Sequence, residues 1–316
     1  MRDRGVNKVE QPKYMRWLPP ETTAAIGRCE IFARTRKLGF ISGRHRSPKK
    51  GNSVEFAEHR EYLPGDDLRA LDWKVLGRKD RLYVRQYEEE TNLRATVLLD
   101  ASGSMAYVGD AAAETDGRRL SKFDYARYLA AGLAHLLTGQ QDATALVTFD
   151  TKMREYLPAR SSTLQMRRIL ETIDASEPGG ETDPAPVFDD IAERIPSRGL
   201  VVIVSDLFTS DPDALLKALH HFHYRKHEIV IFHVMADEEL TFNFNGHVHF
   251  DNLEGPEKLA LDVNSIRASY LEQVNAFLKK VGDGVRRMGA DYVPVNTKVP
   301  FEKTLVEYLS RRRGGR

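Results

Sequence analysis

The chain has 316 residues, enough for about two domains, with 41% hydrophobic and 29% charged residues, a formal net charge of +1 and one cysteine, Cys29. This composition excludes wholesale disorder and fibrous architectures. A single thiol excludes an intrachain disulfide and any zinc site built from several cysteines, and it fits a reducing compartment. The small net charge hides a split: residues 1–87 hold 20 Lys+Arg and 11 Asp+Glu, the remainder 27 and 35. That split indicates surfaces of opposite sign without reaching the basicity of a dedicated nucleic-acid binder. The longest apolar runs, 95–99, 200–204 and 229–234, are far shorter than the roughly 18 residues of a membrane span. Residues 1–13 lack the apolar stretch of a secretory signal, so a cytoplasmic location is expected.

In chain order, residues 1–90 read as a basic, β-rich region. Tyr14, Trp17, Arg28, Arg34, Arg36, Lys37, Arg46, Lys49 and Lys50 within it suit a solvated face or an acidic partner at least as well as phosphate. Around 64–73 a structural clasp is expected, with a turn at Gly65, a packed Trp73, and Asp66, Asp67 and Asp72 paired with Arg60, Arg69 or Arg78.

From Arg94 the pattern becomes an alternation of strands and helices, the signature of a doubly wound, mostly parallel α/β sheet covered on both faces. Residues 94–100 form the first buried strand. A polar loop over 105–118 leads to a helix over 120–138, stopped by Gly139, with Phe123, Ala126, Leu129, Leu133, Leu136 and Leu137 on one face. Strand 143–149 is followed so closely by 152–157 that the two should pair antiparallel, placing the second at a sheet edge. Helices follow at 164–173 and 184–194, the latter opening on proline. Strand 200–205, helix 215–224, strand 228–234, helix 267–287, strand 291–295 and helix 301–309 complete the series, and 311–316 is expected to fray. Residues 237–262 interrupt the alternation with strand-like runs at 242–250 and 259–262 around a Gly255-Pro256 turn, and are expected to pair with the first 90 residues as one accessory β-rich unit. His220, His221, His223 and His227 read as a basic helix end rather than a zinc site. His247 and His249 point to one face of a strand.

The candidate chemistry sits where the first strand ends, in Asp100-Ala101-Ser102-Gly103-Ser104-Met105. Ligands of open α/β sheets bind beyond the carboxyl ends of the strands. A carboxylate followed at two and four residues by hydroxyls puts three oxygens there, a donor type suited to hard cations such as Mg²⁺. Asp206 ends the strand at 200–205, and Thr182 lies in the preceding loop, Gly179-Gly180-Glu181-Thr182-Asp183. Asp100, Ser102, Ser104, Thr182 and Asp206 come from three loops that this topology alone would bring together.

This combination resembles the metal-ion-dependent adhesion site of von Willebrand factor A domains, over residues 91–316. The resemblance implies that Ser102, Ser104 and Thr182 coordinate Mg²⁺, with Mn²⁺ as the alternative, through hydroxyls, while Asp100 and Asp206 act largely through water. A remaining position would take an acidic side chain of a protein partner. Glu181 and Asp183 beside Thr182 add negative charge, and Leu207-Phe208 stands where better-known members have a glycine turn.

Upstream, Gly43-Arg44-His45-Arg46-Ser47, Glu55-Phe56, Arg60-Glu61-Tyr62, Pro64-Gly65-Asp66-Asp67-Leu68-Arg69, Leu71-Asp72-Trp73, Val84-Arg85 and Glu90 resemble the bacterial family catalogued as domain of unknown function 58. That resemblance implies association with a MoxR-type AAA ATPase, as a scaffold or co-chaperone without enzymatic activity. Two other readings compete. A phosphatase of the haloacid-dehalogenase type places a second aspartate two residues after its nucleophile, and here that position is Ser102. Nucleic-acid binding through the basic region would weaken steeply with salt. No Gly-x-Ser-x-Gly elbow surrounds Ser102 or Ser104, and no Gly-x-x-x-x-Gly-Lys occurs, so an ATPase would be a partner rather than this chain.

Overall fold

Residues 12–27, 29, 31, 54–64, 66, 71–79, 81–89, 93–181, 183–255 and 258–314 are described by the computed structural model. The chain divides into two units, Phe32–Asn92, and Met1–Ile31 together with Leu93–Arg316.

The larger unit opens with a 3₁₀ turn, Lys13–Trp17, and helix α1, Pro20–Ile26, whose first turn begins on proline, where a missing N–H costs nothing. Trp17, Leu18, Ile26 and Ile31 join its main hydrophobic core. Residues 13–17 and 20–26 are thus helical and belong with the sheet domain, which differs from the expected β-rich region over 1–90. Proline at the start of α1 and the two alanines within it favour a helix there.

In the smaller unit, β1 (Val54–Glu61) pairs antiparallel with β2 (Tyr83–Glu89) across helix α2 (Trp73–Lys79). The expected clasp at 64–73 is built from backbone caps. Asp66 accepts from Leu63 N at 2.9 Å, and Asp72 accepts from Lys74 N at 3.0 Å at the start of α2. Trp73, expected to pack, is 61% exposed. Asp67 and Arg69 lie outside the described residues.

The larger unit's sheet has six strands: β3 (Arg94–Asp100), β6 (Ala143–Phe149), β7 (Met153–Arg160), β8 (Gly199–Ser205), β9 (His227–Met235) and β12 (Asp291–Asn296). Their order is β12-β9-β8-β3-β6-β7, parallel except for β7, which pairs antiparallel with β6 at the edge as its short connection predicts. Two dipeptide strands, β4 (Glu114–Thr115) and β5 (Arg118–Arg119), close a small hairpin around Asp116 and Gly117, both at positive φ. Helices α3 (Lys122–Gly139), α4 (Thr163–Ala175), α5 (Pro184–Arg194), α6 (Pro212–Tyr224), α7 (Asp237–Thr241), α8 (Val263–Arg287) and α9 (Phe301–Gly314) complete the domain.

Alternation along the strands explains the two layers. Val97, Leu99, Val202 and Val204 face a core shared with α1, α3, α4 and α9. Leu98, Val201 and Ile203 face the other, with Phe188 of α5, Phe222 of α6 and Val285 of α8. Strands buried on both faces read as continuous apolar runs, which is why their bounds were visible in sequence.

Residues 237–262, expected to pair with the first 90, are built differently among the described residues. They form α7 and a hairpin of their own, β10 (His247–Asp251) with β11 (Lys258–Asp262). Phe242, expected in a strand, takes a left-handed conformation that ends α7. The tail also differs from expectation: α9 runs to Gly314, and Arg312 is buried by ion pairs with Glu228 and Asp291. Among the described residues, no helix is long and apolar enough to cross a membrane.

Candidate metal centre at the carboxyl end of the sheet

The chain leaves β3 toward β6 on one side and returns to β8 on the other, so the crevice beyond β3 and β8 is a topological switch point, where open α/β sheets bind ligands. Asp100 is the last residue of β3 and Asp206 follows the last of β8. Both are buried.

Asp100 Oδ1 accepts from Ser102 N at 2.9 Å, and Oδ2 accepts from Ser205 Oγ at 2.5 Å. The first of these bonds folds the strand end back, so Ser102 and Ser104 face the same space. Their hydroxyl oxygens are 3.1 Å apart, and Ser104 helps hold the Asp206 carboxyl down. The loop before α5 comes to the same place: Gly103 N donates to Gly180 O at 2.9 Å, and Gly179 N donates to Ala101 O at 3.0 Å. Gly103 is required here, because a Cβ would lie 2.6 Å from Leu253 O and 2.9 Å from Gly180 O. The structure therefore brings Asp100, Ser102, Ser104 and Asp206 together. Thr182 lies outside the described residues, two positions from Gly180. Its neighbours Glu181 and Asp183 are exposed.

Several participants carried no signal in the sequence. Lys122, the first residue of α3, is buried, and its Nζ donates to Asp206 Oδ2 at 2.8 Å and Glu239 Oε1 at 2.7 Å. Burial alone would push this ammonium down, but Asp206 and Glu239 outweigh it and hold the proton more tightly than usual. Burial would likewise raise the Asp206 carboxyl, and Lys122 instead holds it below the ordinary range. Among the described residues, Asp100 has no such partner. Burial and then the charge of Asp206 raise its carboxyl to about 7, against the hydrogen bonds of Ser205 and Ser102. Beneath the site His233 is kept neutral, pushed to about 4 by burial, with Nε2 on Asp206 O at 2.7 Å and Nδ1 on Tyr292 Oη at 2.6 Å.

The donor set suits a hard cation. Two neighbouring ligands about 2.1 Å from an octahedral ion lie about 3.0 Å apart, close to the 3.1 Å between Ser102 Oγ and Ser104 Oγ. Lys122 serves two carboxylates, Asp206 and Glu239, and Asp100 adds a third acidic group beside Asp206, so acidic groups outnumber this ammonium where the hydroxyls converge. Among the described residues, no three His, Cys, Asp or Glu gather in a metal-binding group, at this crevice or elsewhere, so a cation here would rest on the serine hydroxyls beside the carboxyl groups. In the histidine-rich segment His221 contacts Asp189 at 3.2 Å, while His227 is buried in β9.

The sequence profile of the family described as "Protein of unknown function DUF58" matches residues 58–278. Uncharacterized protein Rv1480 of Mycobacterium tuberculosis (strain ATCC 25618 / H37Rv) is 25% identical over 300 residues, covering 94% of this chain and 91% of that protein. Conserved hypothetical protein BatB of Bacteroides thetaiotaomicron matches 71% of this chain and 100% of its own, at 13% identity and a TM-score of 0.42. A von Willebrand factor type A structure from Catenulispora acidiphila matches 73% of this chain and 44% of its own, at 14% identity and a TM-score of 0.39.

Proposed function

The chain belongs to the DUF58 family, and from that premise we propose that it is a protein-interaction module that recognises an acidic side chain of a partner through a divalent ion, Mg²⁺ or Mn²⁺. Asp100, Ser102, Ser104, Thr182 and Asp206 would hold the ion. When bound, it supplies a hard, positively charged position for a carboxylate. The observation that carries the reading is the pair of serine hydroxyls 3.1 Å apart, set against two buried carboxyl groups of which, among the described residues, Asp206 alone has an ammonium partner.

The chain's own residues prepare the position. Ser205 and the backbone of Ser102 fix both oxygens of Asp100, and Lys122 and the N–H of Phe208 fix those of Asp206. Both carboxylates are thereby held rigid before anything binds. Binding rather than turnover is supported by the roles of nearby groups. His233 is committed to Asp206 O and Tyr292, and position 102 holds a hydroxyl where dehalogenase-type phosphatases carry their acid–base aspartate. The partner class follows from the family resemblance: a MoxR-type AAA ATPase or its client.

The test is binding of a purified MoxR-type AAA ATPase from the same organism, in Mg²⁺ and in chelator, to the parent chain and to Asp100→Ala and Thr182→Ala. Binding should require the ion and weaken in both variants. Binding unchanged in chelator would contradict the metal reading. Phosphatase turnover that disappears with Asp100→Asn would contradict the non-enzymatic one.

A further inference from the structure

The metal centre carries a cover made by its own chain. The tip of the β10–β11 hairpin rests on the residues between the two serine ligands. Glu254 Oε1 accepts from Ser104 N at 3.3 Å, and a Cβ at Gly103 would meet Leu253 O at 2.6 Å and Glu254 Cγ at 3.3 Å. A carboxylate therefore stands one hydrogen bond from the backbone of Ser104. The hairpin is fixed in that position from its root. Phe242 stacks on Tyr270 with ring centres 4.1 Å apart and on Phe250 at 6.0 Å, and Phe244 meets both phenylalanines edge-on at 5.4 and 5.3 Å. Tyr270 Oη donates to Glu239 O at 3.1 Å. Glu239 in turn is the carboxylate that shares Lys122 with Asp206. The insertion is thus tied to the centre twice, through an ion pair at its root and an acidic side chain at its tip.

The chemistry of that tip matches what the centre is built to receive. A hairpin turn is served by glycine and asparagine, and both are present, Asn252 accepting from Glu254 N at 2.9 Å. The turn itself does not call for an inward glutamate. Glu181 and Asp183, the acidic neighbours of Thr182 in sequence, are exposed, whereas Glu254 arrives from about 150 residues beyond Ser104.

We infer that Glu254 is an internal ligand of the metal centre, holding the position that a partner's carboxylate takes, so that partner binding requires the β10–β11 tip to move aside. The inference rests on the metal reading above. A tethered carboxylate competes at an effective concentration of order millimolar, and a covered centre lowers the apparent affinity of an incoming acid by the fraction of time it is open. The hairpin then sets a threshold: a single free carboxylate does not open the centre, while a partner that also grips the tip does.

Glu254→Gln tests this because it keeps the hydrogen-bond acceptor on Ser104 N and removes only the charge. The probe is Mn²⁺ alone, titrated into the full chain, with free Mn²⁺ read by electron paramagnetic resonance and bound water by proton relaxation. In Glu254→Gln the Mn²⁺ affinity should fall about 10-fold or more, and relaxation per bound ion should rise as water enters the vacated position. Amide exchange at 251–255 should slow on Mn²⁺ addition in the parent and not in the variant. Parent-like affinity and relaxation in Glu254→Gln, with the parent's site abolished by Asp100→Asn, overturns the internal-ligand inference alone. A parent that binds no Mn²⁺, or binds it equally after Asp100→Asn, overturns the metal reading and this inference with it.

Discussion

Both ends of the same sheet bury charge, and they do so differently. At the amino ends of β9 and β12, the Arg312 guanidinium bonds Glu228, Asp291 at 2.8 Å and the Tyr308 hydroxyl at 2.7 Å. Each carboxylate there meets a cation, and the cluster fastens α9 to the sheet. At the carboxyl ends of β3 and β8, Lys122 serves Asp206 and Glu239, while Asp100, fully buried, meets a hydroxyl and a backbone N–H but, among the described residues, no cation. Buried charge by itself does not mark a functional site. A buried carboxylate left without a counter-charge beside converging hydroxyls does, because its environment favours an added cation.

The contrast can be broken most forcefully by removing each cation. Lys122→Met takes the ammonium from Asp206 and Glu239, and Arg312→Met takes the guanidinium from Glu228 and Asp291, so each should cost about 3–5 kcal/mol in chelator. Denaturant titrations with and without Mg²⁺ then separate the ends. Mg²⁺ should return part of the loss in Lys122→Met and none in Arg312→Met, and equal behaviour of the two would dissolve the distinction.

Ser205→Ala removes the hydroxyl that holds Asp100 Oδ2. Loss of a hydrogen bond to a buried charged group predicts about 1.5–3 kcal/mol, together with weaker Mg²⁺ binding, both measurable on one preparation. Gly103→Ala forces backbone apart at Leu253 and Gly180 at once, at about 1–3 kcal/mol. Hydrogen exchange should quicken at 178–181 and at 252–255 together, and acceleration of only one segment would show that the two do not meet at Gly103.

The smallest expected effect sharpens the amino-end side. Burial and then Arg225 push His227, at the start of β9, down to about 4. Its folded-state value lies below the unfolded value of about 6.5. The unfolded chain therefore binds the proton first, and the stability this residue contributes is complete above pH 6.5 and is lost as pH falls toward 4. The melting temperature should drop across that window, with a shallower slope in His227→Gln. Parallel slopes would show that other groups carry the acid sensitivity.

How far the sequence could be read follows the same physics. Strands Arg94–Asp100 and Ala143–Phe149 and helix Pro184–Arg194 match the sequence reading to the residue. Apolar runs end there at polar residues, glycine or proline, and burial on both sheet faces leaves no ambiguity of phase. Asp100 and Asp206 were legible because they terminate such runs. Lys122 was not, since a lysine in a helix's first turn ordinarily faces water, and only the placement of α3 over the strand ends turns it toward Asp206. Glu254 and Glu239 depend on an insertion whose pairing was assigned to the wrong partner, because alternation over 242–262 indicates strands without saying which strands they join. Arg312 read as part of a frayed basic tail for a similar reason: its partners lie 84 and 21 residues away, beyond any local pattern.

Calorimetric titration of Mg²⁺ into the parent chain and into Asp100→Ala, in one buffer, tests the central claim most directly. The account predicts a single site in the parent and an affinity at least about tenfold weaker in the variant, the loss expected when a residue that orients metal ligands is removed. Equal Mg²⁺ binding by the two chains, or none by the parent, would contradict it.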